Sequence, residues 1–364
     1  MAQTPEAQAR EEIDRLLTAA GWFVCGVKDA NIHAARGVAI REFELARGFG
    51  TADYLLYVGG KAAGVIEAKK VGATLTGVEI QSGRYAKGLP TNLPAWRRPL
   101  PFLYESTGIE THFTNGLDLD AKARNVFAFH RPEMLAEWLA LLPSGSDATA
   151  HTANLAPGTF LAKVRQMPEL VTEWGEHKLW PAQITAIRNL EKSLAANRPR
   201  ALIQMATGSG KTFTAISFIY RLIKYAGARR VLFLVDRGNL GRQAKKEFDQ
   251  YASPANNYKF GEEYIVQHLS SNTLDSTARV CICTIQRMYS MLKSFTTQSH
   301  RSIDSLWRQV LEYFDAHLIG LTATPNKQTF GFFNQNLVME CGHPEAVADG
   351  ENINNTRRRA EPCY

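Results

Sequence analysis

The feature that most constrains this chain is a glycine-rich turn set between an apolar strand and a helix. Ala201-Leu-Ile-Gln-Met205 reads as a buried strand, Ala206-Thr-Gly-Ser-Gly-Lys-Thr212 follows, and residues 213–226 carry helical apolar spacing. Gly208 and Gly210 let successive backbone N–H groups converge on phosphate oxygens, and the helix behind them presents its positive end to the same point. Thr207, Gly208, Ser209, Gly210 and Lys211 are therefore the expected cradle for a nucleotide. In it Lys211 reaches the outer phosphates and the Thr212 hydroxyl ligates Mg2+. The strict form of this loop has glycine at position 205, where this chain has Met205. Around the loop, strands at 201–205, 230–235, 279–284 and 318–321 alternate with helices at 181–196, 213–226 and 240–251. That alternation predicts an α/β unit with a parallel sheet covered by helices.

The length of 364 residues exceeds what one such unit needs; at roughly 100–200 residues per domain it predicts two or three. Residues 143–158 (PSGSDATAHTANLAPG) are small and polar, with Pro and Gly at both ends, and read as the start of a linker. We expect a first domain over 1–142, a linker over 143–165, the phosphate-binding lobe over 166–330, and a tail over 331–364. Lys plus Arg total 42 against 35 Asp plus Glu, a formal charge of +7, which suits an anionic partner such as DNA. No run approaches the roughly 18 apolar residues of a membrane span, and the start lacks a signal-peptide core. The five cysteines form no metal-like array; Cys281 and Cys283 share one face of an apolar strand. Reduced thiols, a cytoplasmic location and no membrane partner are the expectation.

The first domain contributes a second constellation. A helix is expected over 9–20, with Ile13, Leu16 and Leu17 as its apolar stripe and Gly21 as its stop. Strands at 54–58 and 62–69 flank Gly59-Gly60-Lys61 and read as a hairpin. A helix follows at 78–88, then a proline-rich loop at 89–101, a strand at 126–130 and a helix at 133–142. Asp53 opens the first hairpin strand, and Glu67-Ala68-Lys69 closes the second. A period of two puts Glu67 and Lys69 on one face, and the hairpin can bring Asp53 to it. Two carboxylates and a lysine suit phosphodiester cleavage: Asp53 and Glu67 would hold Mg2+, and Lys69 would steady developing charge or the attacking water. By spacing alone such a set is common; what raises it is the apolar Gly-Val-Ile before Glu67, and Gln81 and Tyr85 one helical turn apart on one face.

These residues resemble the PD-(D/E)xK nucleases, in particular the branch with an added Gln-xxx-Tyr signature. The resemblance implies that Gln81 and Tyr85 orient the metal site and the DNA. It also implies a further acid on the first helix, for which Glu6, Glu11 and Glu12 are all candidates. Around the phosphate loop, Trp180 and Gln183, the segment RVLFLVDRGNLGRQ from Arg230, Thr284-Ile-Gln-Arg287 and Leu321-Thr-Ala-Thr-Pro325 resemble, in order and type, the superfamily 2 helicases and translocases. That resemblance implies adenine recognition by Gln183. It implies DNA-backbone contact at Asp236, Arg237 and Gln286, and coupling of ATP state to DNA at Thr322 and Thr324. Read without it, Asp236 is a strand-end turn and Thr322 a turn before Pro325.

A nuclease fused ahead of such a motor resembles the restriction (R) subunit of type I restriction-modification enzymes. GTADYLLYV, GVIEAKK, QSGRYAKGL, MATGSGKT and WRQVLEYFDAHLIGLTATP carry the likeness, which spans about 9–345. It implies methyltransferase (M) and specificity (S) subunits as partners, ATP-dependent translocation on double-stranded DNA, and Mg2+-dependent cleavage of unmodified DNA. The alternatives are a stand-alone nuclease–helicase of repair or phage defence, and a decayed remnant that binds DNA or ATP without chemistry. Two departures count. Where the family has an apolar strand ending in Asp-Glu, this chain has LKSFTTQS at 292–299, with Thr297 and Gln298 in place of the acids. The chain also runs only 39 residues past Pro325. We therefore expect a shortened, motor-defective polypeptide whose last residues, with Arg357-Arg358-Arg359, form a solvated basic tail.

Overall fold

The structure, a computed structural model, describes residues 4–75, 77–118, 121–141, 158–295 and 306–341. The linker segment 143–157, the Thr297-Gln298 pair and the tail beyond 341 lie outside the described residues. The chain divides into two compact units: Met1–Ala162 with Glu312–Asp315, and Lys163–Leu311 with Ala316–Tyr364.

In the first unit, helix α1 (Pro5–Ala19) begins four residues earlier than its apolar stripe suggests, because Thr4 caps it and Pro5 is preset for its first turn. Ala9, Ile13 and Leu17, four apart, are all buried. A single seven-stranded sheet follows in sequential order: β1 (Phe23–Gly26), β2 (Gly37–Glu44), β3 (Thr51–Val58), β4 (Lys61–Ala68), β5 (Phe102–Ser106), β6 (Thr111–Asn115) and β7 (Arg124–Val126). The β1–β2 and β4–β5 pairs are parallel and the rest antiparallel. The β3–β4 turn has φ of +56° and +79° at Gly59 and Gly60, the backbone that a two-residue hairpin needs and that glycine alone adopts freely.

Alternation sends Tyr54, Leu56 and Val58 into a core with Ile13 and Leu17 of α1 and Leu135 and Leu139 of α3 (Pro132–Leu139). Leu55, Tyr57 and Val65 pack instead with Tyr85 and Ala86 of α2 (Glu79–Lys87). The sheet is thus covered on both faces. The strand expected at 126–130 ends at Val126: Phe129 and His130 turn inward, and the Trp22 indole N–H donates to the His130 carbonyl at 2.9 Å. Four strands escaped the sequence reading, β1, β2, β5 and β6, all short or interrupted by charge.

Helix α4 (Phe160–Arg165) carries the chain from the first unit into the second, which continues with a small hairpin of β8 (Glu173–Trp174) and β9 (His177–Lys178), and α5 (Pro181–Ala195). Then come β10 (Arg200–Met205), α6 (Lys211–Lys224), β11 (Val231–Val235), α7 (Gly238–Gln250), α8 (Phe260–Glu263), β12 (Val266–His268), β13 (Val280–Thr284) and α9 (Ile285–Phe295). The described residues end with α10 (Leu306–Tyr313), β14 (Leu318–Thr322), α11 (Lys327–Phe332) and β15 (Leu337–Cys341). All pairing among β10–β15 is parallel, in two three-stranded sheets ordered β14-β10-β15 and β11-β13-β12. Among the described residues no strand joins them. β15, read from the sequence as tail, pairs with the phosphate-loop strand. Cys281 and Cys283 are buried free thiols in β13, and burial pushes the Cys283 thiol up to about 12. No described helix is long and apolar enough to cross a membrane.

Candidate functional site

The β3–β4 hairpin builds the first site. Tyr54 and Ile66 are registered partners, so Asp53, one step further, lies opposite Glu67. The Asp53 Oδ2 accepts the backbone N–H of Ala68 at 2.8 Å, which pins it against β4 between Glu67 and Lys69. Glu67 is only 3% exposed, and its Oε2 is buried and finds no donor. Its Oε1 accepts from Lys69 Nζ at 2.5 Å. Lys69 Nζ also donates to Gln81 Oε1 at 3.1 Å, and Gln81 Nε2 donates to the Tyr85 hydroxyl at 2.7 Å. Asp53, Glu67, Lys69, Gln81 and Tyr85 are therefore brought together, three from the hairpin and two from α2 packed over it.

Burial pushes the Glu67 carboxyl above its ordinary value; Lys69 pulls it back, and the neighbouring Asp53 carboxylate pushes it up again. The Asp53 and Glu67 carboxylates, the latter with one buried oxygen that has no donor, are hard-oxygen ligands of the kind a divalent cation such as Mg2+ takes, and among the described residues no third acid, histidine or cysteine joins them.

None of the three candidate glutamates on α1 enters this set. Glu12 pairs with Arg15 on its own helix at 2.5 Å, and Glu6 and Glu11 are exposed. The helix instead sends Arg10, whose Nη2 lies 2.5 Å from Asp53 Oδ1, and Asp14, which accepts from the Tyr54 hydroxyl at 2.8 Å and from Arg41 Nε at 3.1 Å. Arg10 and Asp14 sit beside the Ala9–Ile13–Leu17 stripe, a placement visible in the sequence; their strand partners are not. The sequence reading also missed Glu105, registered beside Glu67 on β5, 1% exposed and hydrogen-bonded to Ser82 of α2.

The second site is the phosphate loop. Gly208 and Gly210 have φ of +90° and +73°, and Gly210 starts α6 in the left-handed conformation. A Cβ at Gly210 would lie 2.4 Å from Gln183 Nε2, so the glycine also admits that side chain. Gln183 is buried, its Oε1 accepting the Trp180 N–H at 2.9 Å. Lys211 Nζ donates to the carbonyls of Ala206 at 2.8 Å and Met205 at 3.2 Å, and burial pushes its pKa down. Ser209 is fully buried, Thr207 is exposed, and Thr212 lies half-buried in the first turn of α6.

Thr322 is registered against Gln204 of β10, so Thr322 and Thr324 lie beside the loop. The Thr322 hydroxyl accepts the Thr324 N–H at 3.2 Å, the turn that its sequence alone allows. Arg237 and Gln286 follow the registered pair Val235–Thr284, both exposed at the carboxyl end of the other sheet, the edge where open parallel sheets bind ligands. Among the described residues Asp236 pairs with Arg237 alone, at 3.7 Å.

These features define a mixed α/β polypeptide that carries a carboxylate–lysine site in one unit and a phosphate-binding loop in the other. Residues 27–106 match the family model described as Type I restriction enzyme EcoKI endonuclease subunit second domain, and residues 176–327 match Type III restriction enzyme, res subunit. Among curated relatives, the type I restriction enzyme EcoKI endonuclease subunit of Escherichia coli (strain K12) is 27% identical over 95% of this chain and 34% of its own length. The EcoAI endonuclease subunit of Escherichia coli is 33% identical over 40% of this chain and 19% of its own. A solved HsdR-subunit fragment of a type I restriction enzyme from Vibrio vulnificus YJ016 is 20% identical, covering 96% of this chain and 61% of that one, with a TM-score of 0.35. In sequence the chain is similar to the endonuclease subunits of type I restriction enzymes. It spans about a third or less of the length of these curated relatives.

Proposed function

We propose that the first unit is a Mg2+-dependent DNA nuclease and that the chain serves as restriction subunit material of a type I system. The observation that carries the reading is the continuous set Asp53–Glu67–Lys69–Gln81–Tyr85 around a buried, donorless carboxylate oxygen. Asp53 and Glu67 would hold the cation, which when bound supplies charge neutralisation for the scissile phosphate and a more acidic water. Lys69 presents an ammonium at the same place, where it steadies negative charge developing on the phosphate. Gln81 accepts a second hydrogen bond from that ammonium and donates one to the Tyr85 hydroxyl, which holds the Gln81 amide. The expected substrate is double-stranded DNA held through its backbone, in line with the +7 charge.

The second unit would bind ATP through Gln183, the loop from Thr207 to Lys211, and Thr212 with Mg2+. Arg237, Gln286, Thr322 and Thr324 are the proposed DNA-contact and coupling residues. Methyltransferase and specificity subunits are the proposed partners, in the cytoplasm. The domain limits 1–142 and 166–330 stand as the proposed units of function.

The test is Mg2+-dependent nicking of supercoiled DNA by the full chain. Asp53→Ala and Lys69→Ala are each expected to lower the rate by at least about a thousandfold. Nicking that survives both changes overturns the nuclease reading.

A further inference from the structure

The guanidinium of Arg10 stands where a cation would stand. Its Nη2 lies 2.5 Å from Asp53 Oδ1, while its Nη1 donates to Glu42 Oε1 at 2.8 Å. The two acids differ. Asp53 is pinned by Ala68 N–H and its side chain is 13% exposed, whereas the Glu42 side chain is 68% exposed and outside the site. The arginine itself is 42% exposed, so its head is held by these carboxylates and not by packing. Its base, by contrast, is fixed: Ile13 and Leu17 anchor α1 in the core, and Asp14 is locked to Tyr54 and Arg41. The Tyr54 hydroxyl lies 3.1 Å from the Arg10 carbonyl. The helix therefore delivers a cationic fork to Asp53, and Glu42 of β2 supplies a second carboxylate on the same guanidinium.

We propose that Arg10 is a built-in counter-ion that occupies Asp53 in the metal-free protein, competes with the divalent cation for it, and is retained by Glu42 once displaced. The inference rests on the reading of Asp53 and Glu67 as cation ligands. Each carboxylate of that pair has its own cation in the structure, Arg10 for Asp53 and Lys69 for Glu67, so two adjacent acids are tolerated without metal. Lys69 also holds Gln81 and stays in the site. Among the described residues Asp53 is the one site residue that the Arg10 guanidinium bonds, and only that bond must break for an ion to reach Oδ1. The device lowers the affinity of the site for free cation.

The experiment is calorimetric titration of the DNA-free full chain with Mn2+. Arg10→Gln removes the competitor and is expected to tighten binding about three- to fivefold, with Arg10→Lys, which keeps the charge but loses the fork, in between. Arg15→Gln removes an equal charge from the same helix, where among the described residues Arg15 pairs with Glu12 alone, and is expected to leave the affinity unchanged. Unchanged or weaker binding in Arg10→Gln overturns the proposal, as does equal tightening in Arg15→Gln, which would mark a general field effect. Asp53→Asn separates the two levels. If it binds Mn2+ as tightly as wild type, the cation-site reading itself falls; if it loses binding while Arg10→Gln matches wild type, only the role of Arg10 falls.

Discussion

The two units handle apolar strands in opposite ways. In the first, β3 and β4 lie inside one seven-stranded sheet, and from Tyr54 to Val58 and Ala62 to Glu67 every residue is buried apart from the Gly59–Lys61 turn. In the second, β10 and β13 are the buried centres of separate sheets, and their neighbours β11 and β14 are edges. Val231-Leu-Phe-Leu-Val235 is as apolar as any strand in the molecule, yet each of its residues is only half-buried, and the same holds for Leu318–Thr322. A parallel strand of that composition is normally covered on both faces and paired on both sides. The sequence between α9 and α10 is polar where an apolar strand ending in acids would complete such a sheet. The first unit thus has a continuous scaffold under its site, while among the described residues of the second the phosphate loop stands on one of two separate three-stranded sheets.

The contrast predicts its largest effect in activity. Lys211→Ala is expected to leave Mg2+-dependent nicking unchanged, because among the described residues Lys211 bonds to the Met205 and Ala206 carbonyls of its own unit. DNA-stimulated phosphate release by the wild-type chain is expected at background, since Thr297 and Gln298 replace the acids that would orient water. Turnover near about one per second, lost in Lys211→Ala, would break the comparison by showing a working motor in the second unit.

How much of this could be read beforehand follows the range of the interactions. The hairpin was legible because Gly59-Gly60 fixes its turn and alternation fixes its faces; Glu67, Lys69, Gln81 and Tyr85 were legible because strand and helix periods set their directions. The phosphate loop was legible because glycine at positive φ leaves a sequence mark. Arg10 was not, because its partner lies 43 residues away and nothing local distinguishes it from the other charges of α1. Glu105 becomes significant only through the parallel register that sets it beside Glu67. β15 was hidden because Leu337–Cys341 is a short apolar run whose partner, β10, lies more than 130 residues earlier. The same limit explains the misplaced end of the 126–130 strand, where burial beneath α3 overrides a β-like composition.

A middle-sized effect lies in stability. Ile66 of β4 is fully buried in the core of its unit, and Ile66→Ala is expected to cost roughly 2–5 kcal/mol. Ile319 of β14, registered against Ala201 but half-buried, is expected to cost about 1 kcal/mol or less in the same substitution. Urea titrations of the full chain, following the transition to which each residue belongs, measure both. Equal costs would mean that β14 is covered in solution, and the contrast between the units would fail.

The smallest effect is in pH, where one cause acts with opposite sign in the two units. Burial disfavours charge, so it raises Glu67 and lowers Lys211. For Glu67 the folded protein keeps its proton to a higher pH than the unfolded chain does. Metal-free stability therefore declines as pH rises through the raised folded value and is unaffected well below the unfolded one. A divalent cation needs the ionised form, so Mn2+ affinity is expected to weaken by up to about tenfold per pH unit on acidification, starting above the ordinary glutamate range. Lys69→Met removes the group that pulls Glu67 down and should move that onset further up. In the second unit the sign reverses: an anionic phosphate favours the charged Lys211, so nucleotide affinity should fall on the alkaline side, below the ordinary lysine range. An acid limb for Mn2+ at or under the ordinary glutamate value would mean that the pocket around Glu67 is wet, and that the first unit does not seal its site as its buried, donorless oxygen implies.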